Sequence, residues 1–239
     1  MSEILSPQPM LGVLGGMGPQ ATNLFYQYII DHTQASCDQE HLPTLVLSDA
    51  LIPDRTRAIL SGNTEPAFQH LLKDAKLLER SGCTAIAMPC NTAHYFADRL
   101  QQQLNIPIIH MIRETAQRLA QQGKRRPGIL ATDGTIQTGL YQKELAALGL
   151  EAVHPDPETQ KLVMSLIYDE IKSGLPGSPE KFQKIDQALQ AMGCDCAILA
   201  CTELSVYRIN HGLPPFYVDA MKVMAELAVV RCGKQLKNI

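Results

Sequence analysis

A glycine, a short apolar run and a cysteine closing that run occur twice in this chain, and the repetition restricts the fold more than any other feature. The first copy reads Gly82-Cys83-Thr84-Ala85-Ile86-Ala87-Met88-Pro89-Cys90-Asn91-Thr92; the second reads Gly193-Cys194-Asp195-Cys196-Ala197-Ile198-Leu199-Ala200-Cys201-Thr202-Glu203. With Cys90 laid on Cys201, Gly82 falls on Gly193 and Cys83 on Cys194, an offset of 111 residues. An earlier segment repeats as well: Gly12-Val13-Leu14-Gly15-Gly16-Met17-Gly18 matches Gly128-Ile129-Leu130-Ala131-Thr132-Asp133-Gly134 at an offset of 116. A third echo sets Ile106-Pro107-Ile108-Ile109 against Pro214-Pro215-Phe216-Tyr217. Solenoid repeats run to roughly 20–50 residues, so this longer period indicates two similar domains. One thiol on each side of a cleft between them has the parts to take a proton from one face of a carbon and return it to the other.

Apolar periodicity gives the same picture. Strands are expected at 11–15, 43–48, 85–88, 106–110, 128–131, 151–154, 196–200 and 216–218. Between them the sequence predicts helices from Pro19 to about Asp31, up to Gly82, and over 93–104, 114–122, 136–148, 158–173, 180–192 and 220–236. The helix ending at Gly82 draws its apolar side from Leu71, Leu72, Ala75, Leu77 and Leu78. Strands alternating with helices imply parallel sheets in α/β layers. The expected fold is two similar three-layer α/β domains, mainly parallel, related by a pseudo-two-fold duplication with the site in the cleft between them. The expected division is 1–113 plus 214–239 for the first domain, carrying Cys90, and 114–213 for the second, carrying Cys201.

Composition bounds the chemistry. The chain has 239 residues, 45% hydrophobic and 19% charged, with net charge -3, which fits a folded globular protein and argues against nucleic acid as a partner. Lys124-Arg125-Arg126 reads as a solvated loop. No apolar stretch approaches the roughly 20 residues a membrane span requires. The first residues, with Glu3 and Pro7 before Met10, lack the basic and apolar regions of a signal peptide, so a cytoplasmic location is expected. The seven cysteines are then expected as free thiols. No C-x-x-C or finger-like spacing occurs, so no metal is expected.

Cys90 closes an apolar strand and precedes a helix start, where open α/β sheets bind ligands and where a helix dipole favours a thiolate. Cys201 has the same setting. Gly16-Met17-Gly18-Pro19-Gln20-Ala21 fits G-x-G-x-x-A, but a dinucleotide fingerprint places an acidic residue about 20 positions on, and Asp49 stands further away. A tight turn that lets substrate oxygens reach backbone amides at Met17 and Gly18 is preferred. Arg55, in an expected loop, can fork onto a carboxylate or simply face water. Lys172 can satisfy its own helix end; spacing alone decides neither. His94, His110 and His154 are read as structural.

Together, Leu14-Gly15-Gly16-Met17-Gly18-Pro19, Pro53-Asp54-Arg55-Thr56, Met88-Pro89-Cys90-Asn91-Thr92-Ala93-His94, Ala131-Thr132-Asp133-Gly134-Thr135, Glu170-Ile171-Lys172-Ser173-Gly174 and Cys201-Thr202-Glu203-Leu204 resemble the aspartate racemase branch of the aspartate/glutamate racemase family. The resemblance implies a racemase without cofactor, usually a homodimer, acting on a small dicarboxylic amino acid, most simply aspartate. It implies Cys90 and Cys201 as acid/base thiols, with Arg55 and Lys172 on the distal carboxylate. Asn91, Thr92 and Thr202 would bind the α-carboxylate and amino group, with Met17, Gly18, Thr132 and Glu203 completing the substrate contacts. Departures are Ala200 and Ser205, where glycine and proline are common. The alternatives are a relative working on glutamate, a hydantoin or maleate, and a binding protein that has kept the fold without catalysis.

Overall fold

The computed structural model describes residues 9–237; the segment with Glu3 and Pro7 lies outside them. The first sheet holds β1 (Leu11–Gly15), β2 (Thr44–Ser48), β3 (Ala85–Ala87) and β4 (Ile108–Ile109), and the second holds β5 (Pro127–Leu130), β6 (Cys196–Leu199) and β7 (Tyr217–Asp219). Strand order is β2-β1-β3-β4 in one and β5-β6-β7 in the other, and every pair is parallel. The run β1-β3-β4 therefore recurs as β5-β6-β7. The second-sheet counterpart of β2 survives as one parallel bridge, Gly128 to Val153, where a strand over 151–154 was expected.

Helices connect these strands: α1 (Pro19–His32), α2 (Arg55–Ser61), α3 (Glu65–Arg80), α4 (Ala97–Gln101), α5 (Met111–Gln121), α6 (Asp133–Thr138), α7 (Leu140–Ala146), α8 (Pro157–Ser165), α9 (Pro179–Ala191), α10 (Thr202–His211) and α11 (Ala220–Arg231). Strand residues alternate between cores, as a period of two requires. Leu11, Val13, Ala85 and Ala87 face a central cluster with residues of α1, α5 and α11, and Ile129, Cys196 and Ile198 of the second sheet face it too. The opposite faces are covered separately, by α3 in the first domain and by α8 and α9 in the second. The two three-layer units thus share their inner helical layer.

That sharing alters the expected division. Within 214–239, β7 pairs with β6 in the second sheet, and α11 packs its buried Met221, Met224 and Ala228 into the shared layer. Other differences are local. The region 54–57 begins α2 rather than a loop, because the Asp54 carboxylate accepts from Arg57 N at 2.7 Å and caps it. The helix expected over 136–148 starts at Asp133 and breaks at Gly139, whose φ of 66° is left-handed. The stretch 92–96 is a 3-10 turn ahead of α4. Beyond α8 the chain continues as a π-helical turn, Leu166–Glu170, and a 3-10 turn, Ile171–Ser173. Leu77 is exposed, off the apolar side to which it was assigned.

Candidate functional site

Both repeats deliver their cysteines to the same place. Parallel strands share one carboxyl-terminal edge, and the residues just past β1, β3, β5 and β6 meet there between the domains. Met17, Arg55, Cys90, Asn91, Thr92, Thr132, Lys172, Cys201, Thr202 and Glu203 line one small cavity. Gly18 lies outside its lining, on an adjoining groove with Lys172 and Glu203. The turn before α1 is held by Thr22, whose hydroxyl accepts from Gly16 N at 2.8 Å. Gly16 has φ of 90°, and a Cβ there would lie 2.2 Å from the carbonyl oxygen of Asp49, so no other residue fits this close approach.

The sulfurs sit in unlike surroundings. Beside Cys90 lies Arg55, whose guanidinium donates to the carbonyls of Ile52, Pro53 and Met17 at 3.2, 3.2 and 3.4 Å. Burial opposes its charge, but the Cys90 sulfur together with Asp54 and Tyr168 raises its pKa above the ordinary arginine value. Arg55 Nε is buried without a partner. The backbone of Cys90 is fixed from behind by His94, whose Nδ1 donates to its carbonyl at 2.9 Å and whose Nε2 accepts from Met111 N at 3.0 Å. Around Cys201 the polarity reverses. Its Sγ donates to Glu203 Oε2 at 2.9 Å, and Lys172 Nζ donates to Glu203 Oε1 at 2.7 Å. Burial first, then the Glu203 carboxylate, raise the Cys201 thiol well above its ordinary pKa, against the pull of Lys172.

Polar donors fill the space between. Asn91 is buried; its Oδ1 accepts from Tyr141 OH at 2.6 Å while its Nδ2 has no partner. Unpaired buried donors are costly and rare, so Asn91 Nδ2 and Arg55 Nε are two positions primed for an incoming acceptor. Thr92, Thr132 and Thr135 share hydroxyl contacts of 2.8–3.2 Å, and Thr56 joins them from α2. The lining also includes Asp54, Thr56 and Tyr168, which sequence reasoning left without a role. A capping signal was legible at Asp54. Tyr168, which lies on the π-helical turn, carried none. Among the described residues, no group of three or more His, Cys, Asp or Glu is placed to hold a metal.

The family model for Asp/Glu/hydantoin racemases matches residues 14–228. The broad specificity amino-acid racemase RacX of Bacillus subtilis is 34% identical over 92% of this chain and 96% of its own length. Among solved structures, the aspartate racemase of Picrophilus torridus superposes with a TM-score of 0.80 at 28% identity, covering 96% of each chain. A glutamate racemase isoform, RacE1 of Bacillus anthracis, shares the fold with a TM-score of 0.63 at 20% identity, over 94% of this chain and 82% of that one. With paired cysteines at equivalent strand ends and a match spanning nearly its whole length, this chain belongs to the Asp/Glu/hydantoin racemase family.

Proposed function

We propose that the protein is a cofactor-independent amino-acid racemase that interconverts L- and D-aspartate, with Cys90 and Cys201 as its acid/base pair. The observation that carries this reading is that two sulfurs from two domains line one small cavity. One sulfur, as thiolate, takes the Cα proton; the other, as thiol, delivers its proton to the opposite face, and the two emerge with their forms exchanged. By resemblance Cys201 serves the L face and Cys90 the D face. Negative charge developing on the α-carboxylate would be met by Asn91 Nδ2 and the threonine hydroxyls, fixed donors in a water-poor site. The distal carboxylate would take the free Arg55 Nε. The resemblance also supports a cytoplasmic homodimer.

One observation favours a second reading, a wider substrate range. Lys172 is already paired with Glu203 inside the cavity, so it has less charge to offer a distal carboxylate, and the Bacillus subtilis relative is named for broad specificity. Solvent deuterium uptake at Cα across a panel of amino acids tests both. Exchange confined to aspartate supports the narrow reading, exchange across neutral amino acids the broad one, and no exchange with any of them defeats the racemase assignment.

A further inference from the structure

We infer that Glu203 is a positioning residue for Cys201: its carboxylate receives the S–H, is held by Lys172, and keeps Cys201 protonated in the free enzyme, so that the second domain starts with its acid in place. The inference rests on the racemase reading but concerns the resting enzyme. Each oxygen of the carboxylate has its own partner, Cys201 Sγ on Oε2 at 2.9 Å and Lys172 Nζ on Oε1 at 2.7 Å. Thr202 adds a longer contact to Oε2 at 3.4 Å. An ionised carboxylate only accepts, so the sulfur must supply the proton. A thiolate at the same distance would set two negative charges together, with Glu203 only 5% and Cys201 only 7% exposed and little water to screen them.

The other groups facing Cys201 do not offset this. Lys172 and Tyr168 approach from the 166–173 segment and Tyr141 from α7. Lys172 is the one cation among them, and it is committed to Glu203. The repeat lacks the device on its other side, where Thr92 occupies the position equivalent to Glu203 and Arg55 lies beside the sulfur instead. Two halves of a duplicated fold thus present unlike neighbours to equivalent sulfurs, and the carboxylate stands at Cys201 alone. On this inference Glu203 acts through Cys201 rather than by gripping substrate.

The test is the pH dependence of iodoacetamide alkylation at each cysteine of the free enzyme, read by quantitative mass spectrometry. In Glu203→Gln the Cys201 midpoint should fall by about one pH unit or more, on the order of a tenfold gain in alkylation rate at neutral pH, with the Cys90 midpoint unmoved. Lys172→Met leaves the Glu203 charge uncompensated and should shift the Cys201 midpoint upward. A Cys201 midpoint that stays or rises in Glu203→Gln, or a Cys90 midpoint that moves equally, overturns the inference. If circular dichroism shows Glu203→Gln unfolded, Lys172→Met decides, and an unmoved or lowered midpoint there overturns it. Alkylation needs no turnover, so this failure is distinct from an absence of deuterium exchange.

Discussion

Thr56 of the first domain donates its hydroxyl to Thr132 of the second across the cleft, at 3.2 Å. Gly134 permits the approach, since a Cβ there would lie 2.8 Å from Thr56 Cα and 2.9 Å from its hydroxyl. Backbone cannot yield as a side-chain tip can, so Gly134→Ala should push α2 and α6 apart. The expected cost is about 1–3 kcal/mol of stability with a fall in kcat/KM, read from urea midpoints and racemisation rates. Normal turnover in a destabilised variant would show that the contact supports the fold without shaping the cavity.

Cys90→Ala and Cys201→Ala should each abolish racemisation with the fold intact, because a two-face relay fails when either partner is missing. Each variant should still exchange the α-proton of at most one enantiomer. Polarimetry combined with deuterium incorporation measures both properties, and near-normal racemisation in either variant is incompatible with the mechanism.

Arg55 donates to three carbonyls and keeps Nε free, a planar geometry that lysine cannot reproduce. Arg55→Lys should therefore be nearly as harmful as Arg55→Ala. Loss of a charge-assisted contact of about 1.5–3 kcal/mol corresponds to roughly tenfold to hundredfold in kcat/KM for aspartate, with a much smaller loss for alanine. Equal losses for both substrates would assign Arg55 to structure and remove the main support for a dicarboxylate.

His94 sets an acid limit on stability. Burial, then the neighbouring His110, push its pKa from 6.5 down to about 3. The unfolded chain takes up this proton below about pH 6.5 and the folded chain does not, so the contribution is full above that pH and is lost as pH falls toward 3. Between pH 7 and pH 5 this one group should remove about 2 kcal/mol. Urea unfolding of wild type and His94→Gln at both pH values checks it: the variant should start less stable but lose less on acidification. Equal losses would refute the assignment.

Much of this protein was legible as sequence. The duplicated glycine–strand–cysteine segment carried the parallel α/β architecture, because strand ends and the turns after them are local matters of apolar runs and small residues. The same repeat named Cys90 and Cys201 as a pair, and the motifs around them named most of the residues that line the cavity. Where local signals conflicted, the sequence misled. Gly139 broke an apolar pattern that read as one helix, and the expected strand at 151–154 forms a single parallel bridge, at Val153.

Tertiary structure decided the rest. That β7 belongs to the second sheet while α11 joins the shared layer depends on which surfaces α1 and α5 leave to be covered, a long-range fact that no window of sequence contains. Tyr168 reaches the cleft from a π-helical turn, and Thr56 packs closely against Gly134, which has no Cβ to hold it off. The difference between the thiols has the same origin. Cys90 and Cys201 are equivalent in the repeat, yet one meets a guanidinium folded in from α2 and the other a carboxylate held by a lysine 31 residues away along the chain. Sequence determines which side chains are present and where each strand ends; the electrostatic character of each sulfur depends on charges that only folding brings within reach of it.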